Sequence, residues 1–194
     1  MKIYRLIAME RSVLCVFLHE KNKLSSSEFL SKYMPDINSD RRFKDWDVSH
    51  FSTKRLINNT DKPRNIMRYD LMYAIADEKS KIALENRFSE CIQFLDAVND
   101  DEPSEKYYFL NPFRSAEGLD LEKSECSFLP DSRIPSSIYK YVFKKDVEYY
   151  PIFKLKYEGI VHSTRMYATD EFKDFIEENG ITGLDFEEVF DFNG

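Results

Sequence analysis

The stretch Thr169–Phe192, TDEFKDFIEENGITGLDFEEVFDF, carries the clearest structural pattern in the chain. Its first threonine suits a helix N-cap, and the two acidic residues that follow complement the positive end of a helix dipole. Phe172, Phe175 and Ile176 recur at the spacing of one apolar helix face, and the next Asn-Gly pair is typical of a helix end. The pattern therefore predicts a helix over 170–179 that buries this face against a sheet.

Outward from this helix, the apolar pattern predicts more strands than helices. A Ser25–Glu28 capping box begins a helix that Pro35 ends, and a further helix covers 77–88. The segment 91–98 fits either a helix face or a strand. Strands are predicted over 2–9, 12–18, 46–57, 106–110, 138–143, 152–157, 160–162 and 184–192, with a reversal at 10–11 and loops at 58–63 and 117–135. Because strand–helix–strand units are few, we expect an α+β fold with a largely antiparallel sheet and a few covering helices.

The composition is that of a folded protein. Hydrophobic residues make up 42% and aromatic residues 15% of the 194 positions, which is enough for a packed core in one domain over 1–194. The longest apolar run, Val13–Leu18, is far shorter than the roughly 20 residues of a membrane helix. Charged residues at 5, 10 and 11 argue against a secretory signal, and three widely spaced cysteines predict no disulfide framework. We therefore expect a soluble cytoplasmic protein.

The negative charge is concentrated at the C-terminal end. The net charge of the chain is −7, and the segment from Asp170 onward holds nine acidic residues against Lys173 alone, a net charge of −8. Residues 1–169 therefore carry a net charge of +1. An acidic end repels nucleic acids and membrane surfaces and attracts basic proteins. We expect neither a nucleic acid nor a membrane as a partner.

No motif for catalysis, a cofactor or a metal ion stands out. The five glycines form no phosphate-binding loop, and the sequence has no paired CxxC or HExxH pattern. We therefore predict no catalytic residue, cofactor or metal ligand. The alternative is a dispersed nucleophilic site, in which a histidine activates a distant cysteine. Such a site would draw on Cys15, Cys91, Cys126, His19, His50 and His162.

Five segments, taken in order, resemble a known protein family. They are a strand with an Asn-Pro end, an LD…S segment, a later strand, a helix start and a glycine-containing closing segment: Tyr107–Pro112, Gly118–Ser124, Ile152–Leu155, Thr169–Phe172 and Asn179–Phe186. Their order and spacing are similar to those of immunity protein family eleven of the bacterial polymorphic toxin systems. The resemblance runs from about Arg68 to Phe192, leaves the N-terminal third uncovered, and favours a strand for 91–98.

The resemblance implies a cytoplasmic protein that binds a cognate toxin protein, in a 1:1 complex, and neutralises it without catalysis or a cofactor. Two alternatives remain open. One is an adaptor or regulator that binds another protein, and the other is an enzyme with the dispersed Cys/His site. A secreted-effector gene directly upstream would favour the toxin-binding function.

Two groups of residues are predicted to contact the partner. The acidic group lies in the closing strand, where a rigid backbone can present carboxylates to a basic surface, and it consists of Glu187, Glu188 and Asp191. The aromatic group is predicted because tyrosine is a favoured interface anchor. It consists of Tyr149 and Tyr150, from a cluster that also includes Tyr139 and Tyr141. We expect at least half of this cluster to pack across strands instead.

Overall fold

The structure is a computed structural model that describes residues 1–7, 13–25, 27–28, 31–33, 40–47, 49–55, 65–69 and 74–194. Its helices are α1 (His19–Asn22), α2 (Glu78–Phe88) and α3 (Asp170–Glu178), and residues 27–28 and 31–33 are also helical. Its strands are β1 (Lys2–Ile7), β2 (Val13–Phe17), β3 (Ser49–Arg55), β4 (Ile66–Tyr69), β5 (Ala74–Asp77), β6 (Ile92–Asn99), β7 (Tyr107–Pro112), β8 (Ser115–Ala116), β9 (Glu125–Phe128), β10 (Pro135–Lys140), β11 (Ile152–Tyr157), β12 (Ile160–Thr169) and β13 (Asp185–Asp191). Within these residues, no helix has both the length and the apolar character needed to cross a membrane.

Six strands close into a barrel in the order β2-β3-β6-β7-β5-β4, and β4 pairs back onto β2. Alternate side chains along barrel strands point inward, and here they form one buried aromatic and aliphatic cluster. Phe51, Ile75 and Phe109, each 0% exposed, belong to it. The indole of Trp46 lies 5.3 Å from the ring of Phe109, so the segment before β3 packs onto the barrel core.

The other large sheet is open and has the order β13-β1-β12-β11-β8. The first and last strands of the chain are neighbours in it, since β1 pairs with both β12 and β13 in antiparallel register. A separate two-stranded sheet, β9-β10, contributes to a cluster of buried residues that lines the open sheet. At one edge, β8 pairs with β11 in parallel.

The barrel and the open sheet share a core that contains α2 and α3. This cluster includes Ile92 and Leu110 of the barrel together with Ile152 and Ala168 of the open sheet. Helix α2 contacts β5, β6 and β7, whereas α3 contacts β1 and β12. The two helices meet at the ring of Phe88, whose centroid lies 5.2 Å from Phe172 and 5.1 Å from Phe175.

The predicted C-terminal helix is confirmed as α3. Phe172 and Ile176 are buried, but Phe175 is only partly buried, because it sits at the margin of the shared core. Thr169 is the N-cap, although its side chain makes no capping hydrogen bond. The helix ends at Glu178 with Asn179 as its C-cap, and the next residue, Gly180, has a φ of +59°; this conformation favours glycine because other residues place a Cβ too close to the backbone.

Most of the other predicted elements are confirmed. The helix over 77–88 is α2, and the strands over 91–98, 152–157 and 184–192 are β6, β11 and β13, within one or two residues at their ends. The capping box is present, because Glu28 Oε2 accepts from Ser25 N at 2.7 Å and Ser25 Oγ accepts from Glu28 N at 3.2 Å. The helix end at Pro35, the reversal at 10–11 and the loop at 58–63 lie outside the described residues.

The α+β class is confirmed, and most of the described strand pairs are antiparallel, but the strands do not form the single sheet that was predicted. The strands divide between a closed barrel and an open sheet, and the pairs β2–β4, β3–β6 and β8–β11 are parallel. The prediction also missed β4 and β5, placed β9 in a loop, and ended β12 seven residues early. These elements are short or pair with distant segments, so local periodicity carries little of the signal that forms them.

Candidate partner-binding surface

The predicted acidic group lies on β13, at one edge of the open sheet. Glu187 forms an ion pair with Arg5, and Glu188 Oε2 lies 2.7 Å from Lys2 Nζ. Consecutive side chains of a strand point to opposite faces, so these two carboxylates do not share a face. Both nonetheless keep more than two-fifths of their side-chain surface exposed, 43% for Glu187 and 46% for Glu188. Asp191 Oδ1 accepts from Asn193 N at 2.9 Å.

The acidic start of α3 is committed to contacts within the protein. Asp170 accepts from Lys2 N at 2.8 Å and from the Tyr4 hydroxyl at 3.0 Å. Burial and this hydrogen bond to Asp170 raise the pKa of Tyr4. Glu171 Oε1 accepts from Arg87 at 2.6 Å, which links α3 to α2. These two acids therefore anchor the helix, as a helix N-terminus would lead one to expect.

That β1 supplies the cations of this edge could not be predicted from the sequence. Lys2 and Arg5 lie more than 180 residues from their acidic partners, and no local pattern reports a pairing of the first and last strands. The hydrogen bond to Glu188 raises the pKa of Lys2. The only sequence signal was composition: the near-neutral body must supply whatever cations face the acidic end.

The predicted aromatic group is largely used for packing. The Tyr149 hydroxyl donates to the Lys144 carbonyl at 2.7 Å, and its ring lies 5.6 Å from that of Phe153. The same ring covers Gly118, where an added Cβ would overlap it. Tyr150 is partly buried with the Arg114 guanidinium 5.1 Å from its ring. These contacts leave each of the two rings only partly available to a partner.

A different tyrosine, Tyr139, is the exposed member of the cluster at 72%. It lies on β10, and other exposed apolar side chains occur nearby in sequence at the β9–β10 connection, with Leu129 exposed by 65% and Phe128 by 47%. An ion pair of 2.9 Å between Arg133 and Glu158 links that connection to the β11–β12 turn. The β9–β10 hairpin therefore exposes three large apolar side chains to solvent.

A cleft of about 500 Å³ opens between the segment after β8, the segment after β10 and the β11–β12 turn. Its polar walls are mainly acidic, with Lys144 and Lys156 as the basic members. The acidic members are Glu117, Asp120, Glu122, Asp146 and Glu158. One of them, Asp120, lies 3.0 Å from Lys123, and this contact lowers its pKa. Groups of three or more residues suited to hold a metal ion do not occur in the described parts of the chain.

The cysteines do not have the environment of a nucleophile. Burial raises the pKa of Cys15 to about 12 and that of Cys91 to about 11, whereas a reactive cysteine needs a lowered pKa. His50 Nδ1 lies 3.0 Å from Asp100 Oδ1, and burial lowers the pKa of His162. The side chain of His19 lies outside the described residues. This arrangement disfavours the enzyme alternative.

We expect Cys15 and Cys91 of the native protein to react with iodoacetamide at pH 7 at least about a hundredfold more slowly than in the unfolded chain, because little thiolate forms at a buried thiol. Mass spectrometry of peptides after timed quenching measures each rate separately. Cys126, which is partly exposed, is the internal comparison. Faster labelling of Cys15 or Cys91 than of Cys126 would restore the enzyme alternative.

Comparison with models of protein families matches residues 6–191 to one described as Immunity protein family (Imm11). The matched range includes almost all of the N-terminal third, which the motif resemblance had left uncovered. It also contains β1 through β13, apart from the first four residues of β1. No curated protein matches the sequence.

Proposed function

Because the chain belongs to the Imm11 immunity protein family, we propose that it binds a cognate toxin protein in the cytoplasm, as a 1:1 complex, and neutralises it without catalysis. The family match over residues 6–191 is the observation that carries this proposal. A fold by itself does not define a function, so the contact surface must be argued from this chain's own residues.

We place the toxin contact at the acidic C-terminal end. Glu187, Glu188 and Asp191 lie on a strand that is fixed along its length to β1, so their positions vary little before binding. The ion pairs with Arg5 and Lys2 neutralise part of their charge, but both glutamates stay more than two-fifths exposed, and the segment from Asp170 onward has a net charge of −8. A negative surface of this kind raises the rate at which a basic protein surface finds it.

Tyr149 and Tyr150 enter the proposal as supporting contacts. Their rings are partly buried, so a partner would cover only the exposed part of each. The hydroxyl of Tyr149 is already used by the carbonyls of Lys144 and Gly118. Apolar contact with the ring edge, rather than a new hydrogen bond, is therefore what Tyr149 would offer a toxin, and Tyr150 would offer the exposed part of a ring that Arg114 already contacts.

The direct test is co-expression with the toxin domain of an effector encoded immediately upstream. Survival of the cells should require this protein, and light scattering of the purified pair should give the mass of a 1:1 complex. Growth arrest that this protein does not relieve, with no complex at micromolar concentrations, would contradict the proposed function. We expect nanomolar affinity, since an inhibitor must stay bound while the toxin is present.

The acidic contact predicts a specific kinetic effect. The triple variant Glu187→Lys, Glu188→Lys, Asp191→Lys should associate with the toxin domain roughly tenfold more slowly or worse, because reversed charge repels a basic surface. Raising the salt concentration should slow association of the natural protein as well, since exposed charges are screened. Stopped-flow fluorescence at low and high salt measures both rates.

A matched control is available in the part of the chain that forms the barrel. The variant Glu20→Lys, Asp96→Lys, Glu105→Lys makes the same change in net charge at three exposed residues that belong neither to the open sheet nor to the Tyr149 region. It should slow association less than the β13 variant does. Equal slowing by the two variants would show an effect of net charge alone and would place the contact elsewhere. Thermal melts of both variants exclude loss of folding.

A further inference from the structure

The outer edge of β13 presents unpaired main-chain groups. β13 is the last strand in the order β13-β1-β12-β11-β8, and within the described residues it pairs with β1 alone. Seven residues at about 3.3 Å each give this edge a length of about 23 Å. From Asp185 to Glu188, where the pairing with β1 is regular, every second N–H and C=O points away from β1 and can pair with an added strand; the register shift at Val189 interrupts this alternation before Phe190.

This edge is held in place before any partner arrives. Its register with β1 is regular from Ile7↔Asp185 to Tyr4↔Glu188, shifts by one residue at Val189, and resumes at Ile3↔Phe190 and Lys2↔Asp191. The ring of Phe186 lies 6.2 Å from Tyr4, and that of Phe190 lies 5.7 Å from Phe143. A strand fixed by side chains from both faces loses little conformational freedom when another strand adds to it, which favours binding.

The charge of β13 restricts which strand can pair there. The strand contains Asp185, Glu187, Glu188 and Asp191 and no basic residue. A second copy of the same strand would place acids opposite acids, which destabilises a cross-strand pair. A strand with lysine or arginine at alternate positions would instead place cations beside these carboxylates. The compensating cations that the protein itself provides, Lys2 and Arg5, lie on β1, on the inner side of β13.

From this geometry we infer that β13 is a site of strand addition, at which an extended basic segment of the toxin pairs main chain to main chain with the outer edge of the open sheet. The inference rests on the proposed toxin-binding function and specifies the segment that the toxin contributes. Main-chain pairing supplies affinity, and the acidic side chains select the basic segment. The partner is thus a protein strand, not a folded basic cleft that touches the carboxylates alone.

Hydrogen–deuterium exchange of the 1:1 complex distinguishes the two modes of contact. Strand addition converts the outward amides of β13 into hydrogen-bonded amides, so peptides covering 185–191 should exchange at least about tenfold more slowly when the toxin domain is bound. Contact through side chains alone leaves those amides open to solvent. Peptides from β6, inside the barrel, serve as the reference that should not change.

Proline substitution tests the same hydrogen bonds by removing a donor. Glu187 and Glu188 face Arg5 and Tyr4 in uninterrupted register, and consecutive amides of a strand point to opposite sides. Of Glu187→Pro and Glu188→Pro, one therefore removes a donor to β1 and the other removes an outward donor. The variant that removes the outward donor is identified by a melting temperature close to that of the glutamine variant at the same position, since proline is tolerated at a free edge.

That outward proline variant should bind the toxin domain at least tenfold more weakly than the glutamine variant at the same position, which has lost the same charge but keeps the N–H. Equal binding by the two, together with unchanged exchange at 185–191 in the complex, would overturn strand addition while leaving the toxin-binding function intact.

Failure of the natural protein to bind the toxin domain at all would instead contradict the proposed function. If both proline variants unfold, the exchange experiment on the natural protein decides alone. In the absence of toxin, protection of the amides at 185–191 that increases with the concentration of this protein would assign the edge to a second copy and overturn the inference.

Discussion

Replacement of Phe172 by alanine is expected to destabilise the protein by about 3–5 kcal/mol, the usual cost of removing a buried phenylalanine side chain. Phe172 is 0% exposed and lies 5.2 Å from Phe88 and 6.4 Å from Phe186, measured between ring centroids. It is thus surrounded by both helices and the edge strand. Its removal leaves a cavity that rigid neighbouring elements cannot fill.

Phe175 is the matched control on the same helix. It contacts Phe88 at 5.1 Å but is only partly buried, so Phe175→Ala should cost about 1–2 kcal/mol, in proportion to the smaller apolar surface removed from water. Urea denaturation monitored by circular dichroism gives both free energies of unfolding. Equal costs for the two variants would mean that α3 does not present Phe172 to the core as described.

Phe172→Ala also tests the proposal that residues 1–194 form one folding unit. Trp46, the single tryptophan, is partly buried and packs against the barrel core, whereas Phe172 lies between the barrel and the open sheet. If the shared core couples the two, Phe172→Ala should lower the midpoint of the Trp46 fluorescence transition as much as that of the circular dichroism transition. An unshifted fluorescence midpoint would show that the barrel unfolds independently.

Features that depend on local sequence were the ones that could be predicted. The Ser25–Glu28 capping box, the face of α3 and the strand β11 all follow from residues within a few positions of one another. The barrel does not, because its closure depends on parallel pairing of β2 with β4 and of β3 with β6. Non-local pairing of short strands has no periodic signature in the sequence.

The candidate surface shows the same limit. The concentration of acids after Asp170 could be read from the sequence and drew attention to β13. That β13 is an edge strand, and that Lys2 and Arg5 face its carboxylates, depends on the neighbouring position of the two chain ends. Residue type alone predicts Tyr149 and Tyr150 as anchors, and only the packing of the folded chain shows that Tyr139 is the more exposed residue.

The burial of one lysine, Lys154, is a further feature that the sequence pattern does not predict. Lys154 shares one face of β11 with Ile152 and Lys156, a pattern that suggests a partly polar face, yet it is only 1% exposed because the barrel covers that face. Its ammonium group donates to Asn111 Oδ1 of β7 at 3.3 Å. Burial lowers the pKa of Lys154 to about 8, and Asp40 offsets this effect only in part.

The lowered pKa makes the contribution of Lys154 to stability depend on pH. In the unfolded chain a lysine has a pKa of about 10.4, so between about pH 8 and pH 10 the unfolded state binds more protons than the folded state. The free energy of unfolding therefore rises with pH across this interval as far as Lys154 is concerned. Below pH 8 both states are protonated, and the folded state bears the full cost of a buried charge.

Lys154→Met should therefore stabilise the protein at pH 7, by about 1–2 kcal/mol. Removal of the buried charge should raise the free energy of unfolding by about 3 kcal/mol for a pKa lowered by this amount. The side-chain carbonyl oxygen of Asn111, which loses its hydrogen bond, should lower it by about 1–2 kcal/mol. The advantage of the variant should shrink from pH 8 to pH 9.5 as the natural lysine loses its proton, and urea denaturation at a series of pH values measures the difference.

Lys156→Met is the control on the same strand. Its ammonium lies 3.1 Å from Asp40 and its side chain is 31% exposed, so this variant should show no such increase in stability. A constant difference between Lys154→Met and the natural protein at every pH would mean that Lys154 does not change its protonation in this interval.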